Sequence, residues 1–371
     1  MKAPAAATGR LAYIDWMRGL AILIMIQAHA LDSWTRVGDR KTVAYGVSAI
    51  FAGFAAPMFL FLAGLSVALG AGARQRRTGD MATAAASVRR RGWEIFGLAF
   101  LFRFQAYLLN PSAMLQGLFK VDILNIMGPS IVAAAAVWQA GRSHWRRVAL
   151  FAGAALAIAL LTPPVRATHL VDRLPDVAEW YLRPDAGMSN FTFFPWAGFV
   201  FAGGVVGVLL DRRPANEPRF HASLLAGSLA FAAAAYGASY LPSVYSNSQW
   251  WTTAPSFFLF RAGIISAVLP LVYFYERRPR FFTRDLPRAQ SPGPRADRFS
   301  PMAVFGQSSL FVYWVHTEIA YGFPTAPLHK ALPFWTAMGA FAIFAVFMFA
   351  MTLAKNGAVN KWKAREKAVI C

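Results

Sequence analysis

The sequence is short of charge, and of acidic residues above all. Only 15% of its 371 residues are charged, and 17 Asp and Glu stand against 37 Lys and Arg. Soluble domains carry about 25% charged and about 45–50% apolar residues, whereas 57% of this chain is hydrophobic. That composition excludes an ordinary soluble protein, and it excludes disorder, which needs low hydrophobicity. The one cysteine is Cys371, so no internal disulfide and no cysteine-built metal site can form, and no metal is expected. Soluble-enzyme motifs are also missing: there is no Walker loop, no G-x-G-x-x-G between strand and helix, no H-E-x-x-H and no G-x-S-x-G. Gly198, Gly203, Gly204 and Gly207 read as close helix packing rather than a phosphate loop.

What the chain does have is long apolar runs. Stretches of about 20 apolar residues predict ten transmembrane helices near 12–32, 44–71, 92–109, 121–138, 146–162, 191–210, 222–241, 256–275, 302–322 and 334–354. The expectation is an all-α polytopic membrane protein, a single domain over 1–371. The formal charge of +20 sits in short blocks between these runs, which reads as membrane topology rather than nucleic-acid binding. Lys2 and Arg10, the arginines of 74–91, 142–147 and 212–219, seven arginines within 276–301 and the basic tail after 354 all fall on one side. Both termini are therefore expected in the cytoplasm. Residues 276–301, rich in Arg and Pro, read as a flexible cytoplasmic linker. Residues 163–190, with Pro163, Pro164, Pro175 and Pro184, form the large outer loop. The start also has features of a secretory signal, an apolar Leu20–Ile26 followed by Ala28-His29-Ala30, but its long leading stretch carries Asp15 and Trp16.

Ionisable residues inside membrane helices are costly and tend to mark a pathway or a site. Arg18 and His29 lie eleven steps apart, about 16 Å along a helix, and about 20° past three full turns, so they share a face. Arg18 has a second reading, as a snorkelling end residue paired with Asp15; His29 has one as a hydrogen-bonded structural histidine. Depth along the predicted helices puts His29, Arg103, Asp122, Arg261 and His316 in the outer half of the membrane. A shared polar cavity and a set of separate ion pairs both remain open for these five. At the cytoplasmic face, Arg89, Arg90 and Arg91 stand opposite Arg74, Arg76 and Arg77, either as a phosphate-holding cluster or as plain positive-inside anchors. The uncharged outer loop 241–255, with Tyr245, Asn247, Gln249, Trp250 and Trp251, suits either a sugar or an interfacial aromatic belt.

RLAYIDWMRGLAILIMIQAHALDSW, from Arg10 to Trp34, resembles the first helix of the transmembrane acyltransferase superfamily, and Arg18-x10-His29 is similar to its Arg-x10-His signature. PMFLFLAGLSVAL (57–69), VDILNIMGPS (121–130), FFPWAGFVFAGGVVG (193–207) and SLFVYWVHTEIAYG (309–322) resemble segments of the heparan-α-glucosaminide N-acetyltransferase branch. The resemblance runs from about residue 10 to 355. It implies a ten-helix enzyme that carries an acyl group, acetyl above all, from cytoplasmic acyl-CoA to an amine or hydroxyl of an extracytoplasmic, carbohydrate-like acceptor. By that resemblance His29 is the catalytic histidine and Arg18 its motif partner, assigned to donor binding or helix positioning. Arg90 and Arg91 face the coenzyme A phosphates, with acetyl-CoA the co-substrate. Asp122, Trp196 and His316 lie in family-like segments and, with Arg103 and Arg261, are candidates for the acceptor or oxyanion site. Ten residues before the first helix leave no room for a lumenal domain, so a sulfated glycosaminoglycan fragment is not implied. A bacterial inner membrane is the expected location, with the lipid bilayer and acyl-CoA as partners, no nucleic acid, and oligomerisation open. Two routes remain at His29: general-base removal of the acceptor proton, or an acyl-histidine intermediate. The rival function is a small-molecule transporter, in which Gly128-Pro129 and Pro270 would break helices 121–138 and 256–275.

Overall fold

The computed structural model describes residues 11–109, 114–212, 218–277 and 300–370. The linker expected at 276–301 lies almost wholly outside the described residues. Among the described residues the chain is all-α, with two isolated bridges, Thr35 to Leu332 and Val121 to Ser189, and no strand. Thirteen α-helices are described: α1 Ala12–Trp34, α2 Val43–Ala52, α3 Ala55–Thr78, α4 Met81–Leu109, α5 Ile123–Ala140, α6 His144–Ala167, α7 Asp176–Leu182, α8 Phe193–Arg212, α9 Pro218–Ala238, α10 Pro255–Arg277, α11 Pro301–Gln307, α12 Ser309–Tyr321 and α13 Phe334–Ile370.

Eight stretches among them are long and apolar enough to cross a membrane: α1, α2 continued by α3, α5, α6, α8, α9, α10 and α13. The two further spans expected from sequence fall on α4 and on 302–322. In α4 the helix begins at Met81, eleven residues before the predicted start, and Arg89, Arg90, Arg91, Glu94 and Arg103 lower its hydropathy. The 302–322 stretch is divided at Ser308 into α11 and α12, each too short to cross alone. The predicted second helix likewise divides, at Gly53-Phe54, into α2 and α3. By contrast α5 runs through Pro129 and α10 through Pro270, so the interruptions expected at those two prolines are not found, and the breaks fall instead within the second and ninth predicted spans. In the loop expected over 163–190, α6 extends past Pro163 and Pro164 to Ala167, and α7 adds a short helix of seven residues.

The chain forms two compact units. In the first, Gly53–Ala267, helix α8 packs on α3 and α6, and α5 on α4. Lipid tails are as apolar as leucine, so helices in a bilayer gain little from hydrophobic burial and associate through close packing. The glycines provide it. A Cβ on Gly64 would lie 1.7 Å from the Val200 carbonyl oxygen, and one on Gly203 would lie 1.8 Å from that of Phe61. Gly207 meets Leu65 in the same way, so α3 and α8 touch backbone to backbone at three successive steps. Gly92 and Gly128 make the corresponding contact between α4 and α5.

In the second unit, Gly9–Ala52 with Val268–Cys371, α1 is the central helix, packed by α11, α12 and α13. Gly19 faces the Met302 carbonyl and Gly306 that of Asp15, each too close for a Cβ, which seats α11 on the first half of α1. At the other end of α1, Arg36 N–H donates to Leu332 O at 2.9 Å and Leu332 N–H to Trp34 O at 2.9 Å. The Asp39 carboxylate accepts from Arg36 Nε at 2.7 Å and from the Phe334 N–H at 2.8 Å. The Arg36 hydrogen bond first, then the Phe334 N–H, holds the Asp39 carboxyl below the usual carboxylate range. The segment after α1 is thereby tied to the start of α13.

Candidate active site

Helix α1 carries both members of the Arg-x10-His motif, and its neighbours decide what each can do. His29 is half-buried, and its Nδ1 lies 2.9 Å from Nε2 of the fully buried His316 on α12. The two rings are parallel within 4° at a centroid separation of 5.0 Å and meet through their nitrogens. The other nitrogen of His316, Nδ1, is 2.6 Å from the Val312 carbonyl. A carbonyl only accepts, so Nδ1 of His316 carries its proton and Nε2 of the neutral ring is an acceptor. His29 Nδ1–H is then the donor between the rings. That leaves His29 Nε2 with its lone pair and, among the described residues, no hydrogen-bond partner. The pair therefore presents one basic nitrogen in a fixed orientation, the arrangement a general base or a nucleophile needs.

The end of α1 adds groups that the sequence reading did not single out. The Tyr321 ring stands 5.5 Å from that of His29, at 61°, and its hydroxyl donates to Asp32 Oδ2 at 2.8 Å. Arg40 donates to the Asp32 main-chain oxygen and lies 3.5 Å from its carboxylate. Asp32 is three residues after His29, one turn along α1, and that spacing was the available signal. Tyr321 carried none, because its closeness to His29 depends on how α12 packs on α1. Arg18, at the opposite end of α1, donates to the buried Asp15 carboxylate at 3.0 Å, one turn earlier, where Gly306 of α11 presses against both residues.

The remaining candidates belong to the Gly53–Ala267 unit. Arg103 of α4 and Asp122 form an ion pair at 2.7 Å, with the carboxylate side chain only 5% exposed. Asp122 also caps α5, accepting from the Leu124 N–H at 3.0 Å, while Asn125 returns an acceptor to the Asp122 N–H. Lys120 stands beside this pair. Burial, then the Arg103 cation, pushes it below the usual lysine range, and Asp122 pulls the other way. Asn125 donates to the Tyr181 hydroxyl at 3.3 Å, and Val121 exchanges main-chain hydrogen bonds with Met188 and Asn190, so the segment between α6 and α8 is fastened to the start of α5. Arg261 and Trp196 come together as well, with the guanidinium carbon 5.7 Å from the indole centroid. The five ionisable residues expected at one depth are thus held as His29 with His316, Arg103 with Asp122, and Arg261 among aromatic rings.

At the basic end of the same unit the three arginines of α4 separate. Arg89 donates to Gln139 Oε1 of α5 at 2.6 Å. Arg90 and Arg91 share the single carboxylate of Glu94, at 3.1 and 3.2 Å, and remain 84% and 58% exposed. Arg76 of α3 binds both carboxylate oxygens of Asp211 at 2.8 Å. Arg147 reaches Gly141 O and Gln75 Oε1, with its guanidinium 3.9 Å over the Trp138 ring. Arg90 and Arg91 are therefore an exposed pair whose charge exceeds that of its one carboxylate partner.

A comparison with curated proteins finds no match. The family model described as heparan-alpha-glucosaminide N-acetyltransferase, catalytic, matches residues 10–250, a span that includes the Arg18–His29 motif, Arg90, Arg91, Arg103, Asp122 and Trp196 and ends before Arg261 and His316. Matching well over half of an all-α chain rich in membrane-spanning helices, it shows that this protein belongs to the heparan-α-glucosaminide N-acetyltransferase catalytic family.

Proposed function

We propose that the chain is a membrane acyltransferase that takes an acetyl group from acetyl-CoA in the cytoplasm and delivers it to an amine or hydroxyl of a sugar-like acceptor on the other side, with His29 as its base. The observation that carries this reading is the His29–His316 pair, which leaves His29 Nε2 unprotonated and, among the described residues, without a partner. Arg90 and Arg91 fit the donor: coenzyme A is rich in phosphate, and two exposed guanidiniums sharing one carboxylate keep a net positive charge for charge-assisted contacts. Bound acetyl-CoA supplies an activated carbonyl and a thiolate leaving group. His29 Nε2 removes the proton of the attacking amine or hydroxyl as the new bond to carbon forms, a role typically worth roughly 10²–10⁴ in rate. The imidazolium so formed keeps its Nδ1–H on His316 Nε2, and His29 then returns the proton to the departing sulfur. Arg18, about 16 Å along α1 from His29, does not reach the same carbonyl; with Asp15 and Gly306 it sets the seat of α11 on α1. We place both termini in the cytoplasm, and we count α4 and the α11–α12 pair as the ninth and tenth crossings.

The deciding experiment uses purified protein in detergent with radiolabelled acetyl-CoA, comparing wild type with His29→Ala. Donor binding that survives the substitution while thioester turnover disappears is the expected result. Absence of acetyl-CoA binding would overturn the reading, and label retained on the protein would replace general-base transfer with an acyl-histidine route.

A further inference from the structure

Arg261 lies in the second turn of α10, half-buried, and has fewer partners than its environment demands. Its guanidinium donates to the main-chain oxygen of Gly53. Around it stand four aromatic rings, with centroids 5.1 Å away for Phe257, 5.6 Å for Phe54, and 5.7 Å for Trp196 and Phe199. These rings stabilise a cation through their π faces but accept none of its remaining N–H groups, of which a guanidinium has five. Among the described residues no carboxylate meets Arg261. Four other arginines of the Gly53–Ala267 unit are matched: Arg103 with Asp122, Arg76 with Asp211, Arg183 with Asp172 and Glu179, and Arg166 with the oxygens of Thr192 and Phe194. A half-buried cation in apolar surroundings is costly without a counter-charge. The geometry of a planar fork with free N–H groups, walled by aromatic faces, is the geometry that recognises an oxyanion in bidentate fashion.

We propose that Arg261, flanked by Trp196, Phe199, Phe257 and Phe54, is a binding point for an oxyanion group such as phosphate, sulfate or carboxylate. That group has two sources: an anionic substituent on the acceptor, or the phosphate of a lipid headgroup. The ring faces suit either, stacking on the C–H face of a sugar or lying against an acyl-glycerol.

The test measures binding and needs no turnover, so its failure is separate from failure of the acyltransferase reading. Wild type, Arg261→Gln and Arg261→Lys, purified in detergent, are titrated with glucosamine 6-phosphate and with neutral glucosamine. In parallel, native mass spectrometry reads retention of phosphatidylglycerol against a phosphate-free diacylglycerol glucoside. If the group belongs to the acceptor, wild type prefers the phosphorylated sugar by about ten- to a hundredfold, Arg261→Gln loses that preference and Arg261→Lys keeps part of it. If the group belongs to the lipid, the sugar preference is absent and phosphatidylglycerol retention falls in Arg261→Gln. Should Arg261→Gln not fold without its contact to Gly53, phenylglyoxal modification of wild type decides: inorganic phosphate protects Arg261 from labelling. Unchanged binding and retention in Arg261→Gln, or no protection of Arg261, overturns the proposal.

Discussion

At the scale of single residues, His29 and His316 have distinct parts, and separate outcomes follow. His29→Ala removes the nitrogen proposed to take the acceptor proton, so on that reading acetyl transfer falls by roughly 10²–10⁴ while acetyl-CoA binding is retained. His316→Ala leaves that nitrogen in place but strips His29 Nδ1–H of its acceptor. Loss of one buried hydrogen-bond partner is worth about 1–3 kcal/mol, so kcat falls roughly 5- to 150-fold with KM little changed, and His316→Gln, which restores an acceptor oxygen, recovers part of it. Steady-state kinetics of the three variants checks both statements; equal loss in His316→Gln and His316→Ala would mean the ring is needed for packing alone. His29 and Arg18 were legible in the sequence because their relation is local, fixed by the pitch of one helix. The pairing of His29 with His316 was not, since it joins residues 287 positions apart and the tautomer depends on a carbonyl that only the folded α12 presents. The same holds for Arg103 and Asp122, visible as two costly groups but not as partners.

Elements show the same division between local pattern and tertiary contact. The glycines of α8 announced close packing, and the structure names what they meet: α3 for Gly203 and Gly207, Phe151 of α6 for Gly204 and Phe258 of α10 for Gly198. Gly203→Val places side-chain carbon where the Phe61 carbonyl stands, at a contact neither backbone can relieve alone. Overpacking of a core typically costs about 1–3 kcal/mol, and here two main chains would have to part. A lowered thermal midpoint and reduced yield of folded protein in detergent are expected, whereas Gly227→Val, on α9 where nothing lies within 4 Å of the added carbon, leaves both unchanged. Helix breaks were less legible than helices. Pro129 and Pro270 looked like interruptions yet sit within continuous helices, while the actual breaks at Gly53-Phe54 and Ser308 fall in apolar runs with no proline at the junction. The segment after α1 carries a prediction of its own. Asp39, its carboxyl held low by Arg36 and the Phe334 N–H, stabilises the folded state above the unfolded carboxylate pKa of about 3.9, and that contribution is lost as pH falls through the lower folded value. Asp39→Asn removes it, so the variant loses thermal stability at neutral pH and its midpoint depends less on pH below about 4; parallel melting curves across that window are the measurement.

For the whole molecule the open quantity is the number of crossings, and parity connects it to function. Among the described residues eight stretches are long and apolar enough to cross, and ten crossings follow if α4 and the α11–α12 pair also cross. Either even count puts the two termini on one side; only the crossing of one without the other separates them. Helix α4, with 29 residues, is about 43 Å long against a hydrocarbon core of about 30 Å. Its first third, with Arg89, Arg90 and Arg91, can therefore stand in water while the stretch from Gly92 onward crosses, and the one charge deep in that stretch, Arg103, is neutralised by Asp122. For α11 and α12 the argument is continuity: Ser308 interrupts the helix for a single residue, so the two pieces together supply the length that neither has alone. The single native cysteine makes this testable. A membrane-impermeant maleimide is expected to reach Cys371 in intact cells only after the inner face is opened. In a Cys371→Ser background, Gln116→Cys, after α4, is expected to label from outside. Ser291→Cys, before α11, should label only from inside, and Ala326→Cys, after α12, from outside again. Labelling of Gln116→Cys from the inner face would remove α4 from the bilayer and, with it, the proposal that Arg90 and Arg91 hold a cytoplasmic donor on the same helix whose far end carries the Arg103–Asp122 pair.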